Sequence, residues 1–234
     1  LGFRKDSVIH NTYPNIQAPK IMENGKFGES GFYSLSEMVA GKQLRFLSAQ
    51  ENISSMPSLF SAMNEIHTSE FSSCDLLNRE DWKSILKKYT EYGYDKVEAT
   101  FFDDNRYKQL LAVFDKQIQM TLPSSYLLHG DFGRTNIFSE NGKITGIIDW
   151  SEAMVGDFLW DLAWIAFWPT KIDFVSKYYE FNKNNSNLDM SNFEERLSLY
   201  TLVIGIHTLL FAGGIRKDEE TYNEAVERTN KFVL

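Results

Sequence analysis

The spacing of apolar residues divides the chain into a short beginning with strand patterns and a longer part with helical patterns. Residues 1–17 are polar and predict the end of a helix and a loop. Residues 21–25 and 32–39 have the alternating pattern of strands and flank a glycine-containing segment, which predicts a β-hairpin. Farther along, apolar residues recur every three or four positions and predict helices at residues 54–67, 80–92, 104–121, 157–168, 170–182, 191–212 and 217–231.

A second hairpin is predicted inside the helical part, at residues 137–148. β-Branched and aromatic residues flank the turn segment 140–143, whose sequence is Glu-Asn-Gly-Lys. Closing the hairpin at this turn puts Asn136 and Asp149 at the same open end of the two strands, beside Asp131. Two carboxylates and one amide oxygen are donors that Mg²⁺ prefers when phosphates complete its coordination. The pattern therefore predicts a magnesium site at this end of the hairpin.

Charge and cysteine content narrow the function classes. The net charge of −8 argues against nucleic acid as a partner, because nucleic-acid-binding proteins need a basic face to neutralise phosphates. The charge is compatible with a cationic small substrate, but an ordinary solvated acidic surface is the simpler explanation. Cys74 is the only cysteine, which excludes an intrachain disulfide and fits a reducing cytoplasm.

The most apolar segment, residues 199–215, is shorter than the roughly 20 apolar residues that span a bilayer. We therefore predict a buried core helix and no membrane partner. His207 lies within this segment and is interpreted as a core or edge histidine, since no second metal ligand accompanies it.

Three separated motifs carry a family resemblance. His129-Gly130-Asp131 is followed five residues later by Asn136, then come Ile-Asp-Trp at residues 148–150 and Gly-Asp-x-x-x-Asp at residues 156–161. In order and spacing these motifs resemble the aminoglycoside phosphotransferases, relatives of the protein kinases, and most of all their hygromycin B phosphotransferase branch. The resemblance implies an α+β, protein-kinase-like fold with a truncated N-terminal strand lobe and a mainly helical C-terminal lobe.

The lobes would divide near the end of the first hairpin. The resemblance implies a partial N-terminal lobe and hinge at residues 1–40. It implies a helical C-terminal lobe at residues 41–234, with the catalytic hairpin at residues 129–161 inside it.

The same resemblance assigns a role to each polar residue of the motifs. Asp131 would be the catalytic base, and Asn136 and Asp149 would be the magnesium ligands. His129 and Asp157 would hold these residues in position without contacting the substrates themselves. The implied reaction is transfer of the γ-phosphoryl group of ATP, or GTP, to a hydroxyl of a small molecule, with Mg²⁺ as the metal cofactor.

Further contacts to the nucleotide are expected at the hinge and in the loop that carries Asp131. The backbone carbonyl near Glu37 and the N–H near Val39 would bind the adenine edge, and Arg134 is a candidate contact for the γ-phosphate. The acceptor would be a small molecule, cationic if it is an aminoglycoside such as hygromycin B.

Asp131-Phe132-Gly133 also spells the metal-binding signature of protein kinases. That interpretation requires a catalytic loop with a histidine a couple of dozen residues earlier. Residues 100–120 contain no histidine and have a helical pattern. We therefore interpret this spelling as coincidence and keep Asp131 as the base.

One family feature is missing from its expected place. A complete member carries three further strands before the residue 20 strand, with a lysine that contacts the α- and β-phosphates. The segment before Pro19 is too short for these strands, and Lys5, Lys20 and Lys26 lie in the wrong context for that lysine. Either the strands precede Leu1 in a longer protein, or these phosphate contacts are absent.

Three alternatives stay open at this point. The chain could be a kinase for another small molecule, such as a sugar, a choline-like amine or a macrolide. It could be a truncated or inactive module that binds nucleotide without turnover. It could also be a structural protein in which Asp131, Asn136 and Asp149 are turn and capping residues, although their ordered occurrence argues against this.

Overall fold

The computed structural model describes residues 2–29, 31–71, 77, 80–123, 126–168 and 170–233. Its α-helices are α1 (Gly2–Thr12), α2 (Ala49–His67), α3 (Trp82–Glu91), α4 (Asp104–Gln117), α5 (Leu159–Phe167), α6 (Phe174–Asn182), α7 (Phe193–Leu210) and α8 (Glu219–Thr229). Its strands are β1 (Ile21–Phe27), β2 (Gly31–Ser36), β3 (Lys42–Gln43), β4 (Tyr126–Leu128), β5 (Ile137–Glu140), β6 (Lys143–Ile147) and β7 (Met154–Gly156). Cys74 lies outside the described residues.

The predicted helices are present, with ends that shift by a few residues. Several begin where a polar side chain accepts hydrogen bonds from the free N–H groups of the first turn. These N-cap residues are Ser48, Asp81, Asp103, Asp173 and Asp218. Helix α1 extends over residues for which the sequence predicted only a helix end and a loop.

The chain forms two compact units. The first contains Leu1–Arg79 and Ser125–Asp189, and the second contains Glu80–Ser124 and Met190–Leu234. All the described strands lie in the first unit. The predicted division into lobes at residue 40 falls inside the first unit and stays a prediction.

Antiparallel pairs connect the strands of the first unit. β1 pairs with β2, β4 pairs with β7, and β5 lies between β3 and β6. The β5–β6 hairpin has the predicted turn, because Glu140 pairs with Lys143 and both central residues have positive φ, 51° at Asn141 and 77° at Gly142. Asn-Gly is the pair that tolerates this turn best. The β4–β7 pair was not predicted, since Met154–Gly156 is too short to be recognised from its pattern.

Helix α2 packs directly on the β5–β6 hairpin. The Ser55 and Ser139 hydroxyls lie 2.7 Å apart, and the Ile144 N–H donates to Ser58 Oγ at 2.9 Å. These contacts hold the hairpin against a helix that begins with a complete capping box at Ser48 and Glu51.

Asn52 secures the turn that enters α2. Its Nδ2 lies 3.1–3.2 Å from the carbonyl oxygens of Leu44, Leu47 and Ser48, and the side chain is buried. These carbonyls belong to a 3₁₀ turn, Leu44–Phe46, and to the residues that follow it. The backbone N–H of Arg45, in the same turn, donates to the Arg134 carbonyl at 3.2 Å. Asn52 thus connects α2 to the loop before β5.

The second unit is built around α7. Trp82 of α3 donates its indole N–H to the Tyr200 hydroxyl at 3.1 Å, and both side chains are buried. A π-helical segment, Phe211–Arg216, continues α7. The helix from Phe193 to Arg216 is long and apolar enough to cross a membrane, but 72% of its apolar window is buried inside the protein. That burial is what a core helix requires.

Replacing Asn52 with alanine should destabilise the protein. The Asn52→Ala variant removes the buried amide donor that the carbonyls of Leu44, Leu47 and Ser48 share, a loss of about 1–3 kcal/mol. Urea denaturation monitored by circular dichroism should show a lower midpoint. Ser54→Ala is the matched control, because the Ser54 hydroxyl lies exposed on the same helix and contacts only the Gln50 carbonyl. Equal midpoints for the two variants would contradict the proposed role of Asn52.

Candidate active site

The loop after β4 brings Asp131 to the open end of the β5–β6 hairpin. Gly130 precedes it with a φ of 89°, and a Cβ at this position would lie 2.1 Å from the Glu152 carbonyl oxygen. Only glycine fits both the backbone conformation and this close approach. The loop therefore depends on Gly130 to pass beside the segment that follows Asp149.

The carboxylate of Asp161 fixes the backbone of this loop by hydrogen bonds. Its Oδ2 accepts the His129 N–H and its Oδ1 accepts the Gly130 N–H, each at 3.0 Å. His67 Nε2 lies 3.1 Å from Oδ2, and both side chains of this pair are fully buried. Trp160, the residue directly before Asp161 on α5, donates its indole N–H to the Gly130 carbonyl at 2.9 Å. Both peptide groups of Gly130 are thus fixed by α5.

Sequence reasoning missed this role of Asp161. The sequence suggested only that Asp161 caps or braces its own helix, and His67 gave no sign of contact with it. Asp157 is also buried, and its Oδ1 accepts the Leu159 N–H at 3.1 Å, at the start of α5. Support of the catalytic residues by Asp157 stays a prediction. The sequence signal for the role of Asp161 was its place as the second aspartate of the Gly-Asp-x-x-x-Asp motif.

His129 connects the two halves of the site. Its Nε2 lies 2.9 Å from the Ile148 carbonyl oxygen, and the Asp131 N–H donates to its Nδ1 at 3.2 Å. These partners require the neutral ring with the proton on Nε2, since a carbonyl accepts and an N–H donates. The ring also packs against Phe132 and Trp150. His129 therefore lies where the sequence placed it, behind the predicted base.

Asn136 contacts Asp131 through its amide nitrogen. Nδ2 donates to both the backbone carbonyl and Oδ2 of Asp131, each at 3.0 Å. This orientation uses the nitrogen and turns the amide oxygen of Asn136 away from Asp131. Burial raises the pKa of Asp131 above its usual value, although the Asn136 hydrogen bond lowers it in part. The nearby carboxylates of Asp149 and Asp161 also raise that pKa.

Asp149 lies at the matching position on the other strand. The Ile148 N–H donates to the Asn136 carbonyl at 2.9 Å, so Asn136 and Asp149 share the open end of the hairpin, as predicted. Asp149 has a left-handed backbone, with φ of 61° and ψ of 66°. Its Oδ1 accepts the Ser151 hydroxyl at 2.8 Å.

These donors fit magnesium. Groups of three or more His, Cys, Asp or Glu side chains that could enclose a metal ion are absent from the described part of the chain. Mg²⁺ is typically held by one or two carboxylates together with substrate phosphates and water, and does not need a closed cage. The Asp149 carboxylate and the Asn136 amide oxygen can supply such a partial set.

The predicted hinge packs on β6. The Glu37 N–H donates to the Lys20 carbonyl at 2.9 Å, and the Thr145 hydroxyl donates to the Ala40 carbonyl at 2.6 Å. Val39 lies over Gly146, where an added Cβ would come within 2.5 Å of the valine Cγ1. A β-bulge between β5 and β6 accompanies this close approach. Gly146 thus allows the hinge backbone to lie close to the catalytic hairpin.

Arg134 is half-buried in the loop that carries Asp131. Burial lowers the pKa of its guanidinium below the usual value. Its backbone carbonyl accepts the Arg45 N–H at 3.2 Å. Contact of Arg134 with a phosphate stays a prediction.

Comparison with known proteins gives consistent matches. Hygromycin-B 4-O-kinase of Escherichia coli is 26% identical over an alignment of 226 residues, which covers 89% of this chain and 64% of that protein. A thermostable mutant of aminoglycoside phosphotransferase APH(4)-Ia, in ternary complex with ADP and hygromycin B, superposes with a TM-score of 0.83 at 24% identity. That match covers 99% of this chain and 82% of the other.

A more distant structure has the same fold. The GDP and kanamycin complex of APH(2")-IIia superposes with a TM-score of 0.71 at 16% identity, over 98% of this chain and 81% of the other. These superpositions confirm the predicted protein-kinase-like fold. Residues 9–180, most of the chain, match the phosphotransferase enzyme family. The chain therefore belongs to the phosphotransferase enzyme family, as the sequence motifs predicted.

Proposed function

We propose that the chain is an ATP- and Mg²⁺-dependent phosphotransferase that phosphorylates a hydroxyl of an aminoglycoside such as hygromycin B. The observation that carries the proposal is the meeting of Asp131, Asn136 and Asp149 at one end of the β5–β6 hairpin. Phosphoryl transfer depends mainly on positioning of the reactants and on stabilisation of the phosphate charge. This end of the hairpin supplies a carboxylate that can orient the acceptor hydroxyl and oxygen atoms that can bind the metal ion.

Asp131 is the proposed base. Its Oδ2 is held by Asn136, and the backbone N–H of Asp131 is held by His129, so the carboxylate has a fixed direction. A carboxylate so placed can orient the acceptor hydroxyl and take its proton as the O–P bond forms.

Asp149 and Asn136 are the proposed magnesium ligands. When bound, the ion neutralises charge on the β- and γ-phosphates and orients them for in-line transfer. The residues contribute by geometry: the hairpin keeps the Asn136 amide oxygen and the Asp149 carboxylate at neighbouring strand ends. Arg134 is proposed as a further contact to the γ-phosphate.

The hinge is proposed to bind the base of the nucleotide. Among the residues that the structure describes, neither the Glu37 carbonyl nor the Val39 N–H makes a hydrogen bond of its own. An adenine edge offers one donor and one acceptor, which matches this pair. The same pair would also serve a guanine, so GTP is retained as a second donor nucleotide.

The substrate class rests on charge and on the relatives. The net charge of −8 is compatible with a cationic acceptor and disfavours nucleic acid as a partner. Hygromycin-B 4-O-kinase is the named activity of the relative that is 26% identical. The proposed compartment is the cytoplasm, where ATP and Mg²⁺ are available.

A second candidate function is nucleotide binding without turnover. Residues that contact the α- and β-phosphates in the family were not recognised in this sequence, and their loss would weaken positioning of the γ-phosphate. The two candidates differ in turnover and agree in magnesium-dependent nucleotide binding.

Removing the base should separate chemistry from binding. The Asp131→Asn variant keeps the shape of the side chain but cannot accept a proton, so kcat should fall by about 10²–10⁴-fold. ATP affinity should stay unchanged. Coupled ADP release with hygromycin B and with a panel of other aminoglycosides, sugars and choline measures turnover and identifies the acceptor. Asp115→Asn, an exposed position on α4, is the control. Full turnover in Asp131→Asn would exclude Asp131 as the base.

Removing the metal carboxylate should abolish magnesium-dependent nucleotide binding. Asp149→Ala deletes the only charged ligand proposed for the ion, so calorimetric titration with ATP should give the same weak binding with and without Mg²⁺. Glu140→Ala, at the far end of the hairpin, should bind as the unchanged chain does. Magnesium-enhanced binding by Asp149→Ala would rule out this ligand.

Adding one methyl group at Gly146 should weaken nucleotide binding. Gly146→Ala pushes against Val39, and overpacking of this kind costs about 1–3 kcal/mol. If part of that cost moves the hinge, ATP affinity should fall roughly tenfold, since 1.4 kcal/mol is a factor of ten. The double variant Gly146→Ala with Val39→Ala should recover affinity, because the clash is removed. Unchanged affinity in Gly146→Ala would contradict a hinge role for Val39.

A further inference from the structure

Two neighbouring side chains of α1 hold the turn that follows Asp149. Lys5 Nζ donates to the Ser151 carbonyl at 2.8 Å and to the Ala153 carbonyl at 3.0 Å. Asp6 Oδ1 accepts the Trp150 N–H at 3.0 Å. All three hydrogen bonds are partly buried, and they join the beginning of the chain to a turn more than 140 residues later.

The held turn directly follows Asp149, whose backbone conformation is unusual. Asp149 has a left-handed backbone with φ of 61°, a conformation that non-glycine residues seldom adopt and that persists only where the surrounding structure imposes it. The Trp150 N–H belongs to the peptide group directly after Asp149. By fixing the orientation of that peptide, Asp6 fixes the ψ angle of Asp149 and with it the direction of the carboxylate.

Ser151 connects the same turn to the carboxylate itself. Its hydroxyl donates to Asp149 Oδ1 at 2.8 Å, while its carbonyl accepts from Lys5. Lys5 therefore restrains the residue that orients Asp149. Backbone and side chain of Asp149 are each reached from α1 through one intermediate residue.

We propose that Lys5 and Asp6 are positioning residues, which hold the turn at residues 150–153 so that the Asp149 carboxylate points toward its magnesium ion. The inference rests on the proposed function, in which Asp149 is a metal ligand. Neither side chain touches the nucleotide or the acceptor in this role. Both act through the turn.

The hydrogen-bond chemistry predicts which substitutions matter. Asp6 is needed as an acceptor for the Trp150 N–H, and an amide oxygen accepts equally well, so Asp6→Asn should preserve the role. Asp6→Ala removes the acceptor. Lys5→Met keeps the apolar length of the side chain but removes the donor to both carbonyls. Lys183→Met is the matched control, because the Lys183 ammonium contacts Glu180 on the exposed end of α6.

The decisive measurement is the Mg²⁺ concentration needed for half-maximal ATP binding by the 234-residue chain. It should rise about tenfold in Asp6→Ala and in Lys5→Met, as expected for a loss near 1.4 kcal/mol. It should stay unchanged in Asp6→Asn and Lys183→Met. ATP affinity without metal should be the same in every variant. Hydrogen exchange of the Trp150 amide should be faster in Asp6→Ala than in Asp6→Asn.

Each other result has a definite meaning. If Asp6→Ala and Lys5→Met lower the melting temperature but leave the Mg²⁺ requirement unchanged, the two residues are merely structural and the inference is wrong. A rise in the Mg²⁺ requirement of Asp6→Asn as large as that of Asp6→Ala would show that Asp6 acts by charge and would also overturn the inference. If Asp6→Ala does not fold, Lys5→Met decides. Absence of magnesium-dependent binding in the unchanged chain would instead contradict the proposed function.

Discussion

The candidate site depends on the buried carboxylate of Asp161. A buried charge is tolerated only when it is fully hydrogen-bonded, and Asp161 meets this condition with the N–H groups of His129 and Gly130 and the ring of His67. Asp161 and the loop depend on each other. The loop supplies donors that Asp161 needs, and Asp161 fixes the loop from which Asp131 extends. Loss of either partner leaves polar groups buried without hydrogen bonds.

From this anchor the site is assembled by successive polar contacts. His129 joins the loop to the Ile148 carbonyl, and Asn136 joins Asp131 to the hairpin. Each contact uses a donor and an acceptor that leave little rotational freedom to the next side chain. Catalytic groups held in this way lose little entropy when substrates bind, which is the advantage of preorganisation for phosphoryl transfer.

Local features of the fold were predictable from the sequence, and distant ones were not. The β5–β6 hairpin follows from Asn141-Gly142 between two apolar runs, and its closure placed Asn136 near Asp149 correctly. The start of α2 was predicted too late, although Ser48 and Glu51 form a recognisable capping box. The contact of Asp161 with Gly130 joins residues that are 31 positions apart in the sequence, and the contact of Asp6 with Trp150 joins residues that are 144 positions apart. The spacing of apolar residues does not reveal such contacts.

The tight turn at Asn141-Gly142 also sets the register of the proposed metal ligands, although it lies at the opposite end of the hairpin. A strand advances about 3.3 Å per residue, and successive side chains point to opposite faces. One inserted residue in the turn would slip β6 against β5, moving Asp149 away from Asn136 and turning it to the other face. The length of this loop is therefore constrained by chemistry at the far end of the strands, as strictly as the identity of the ligands themselves.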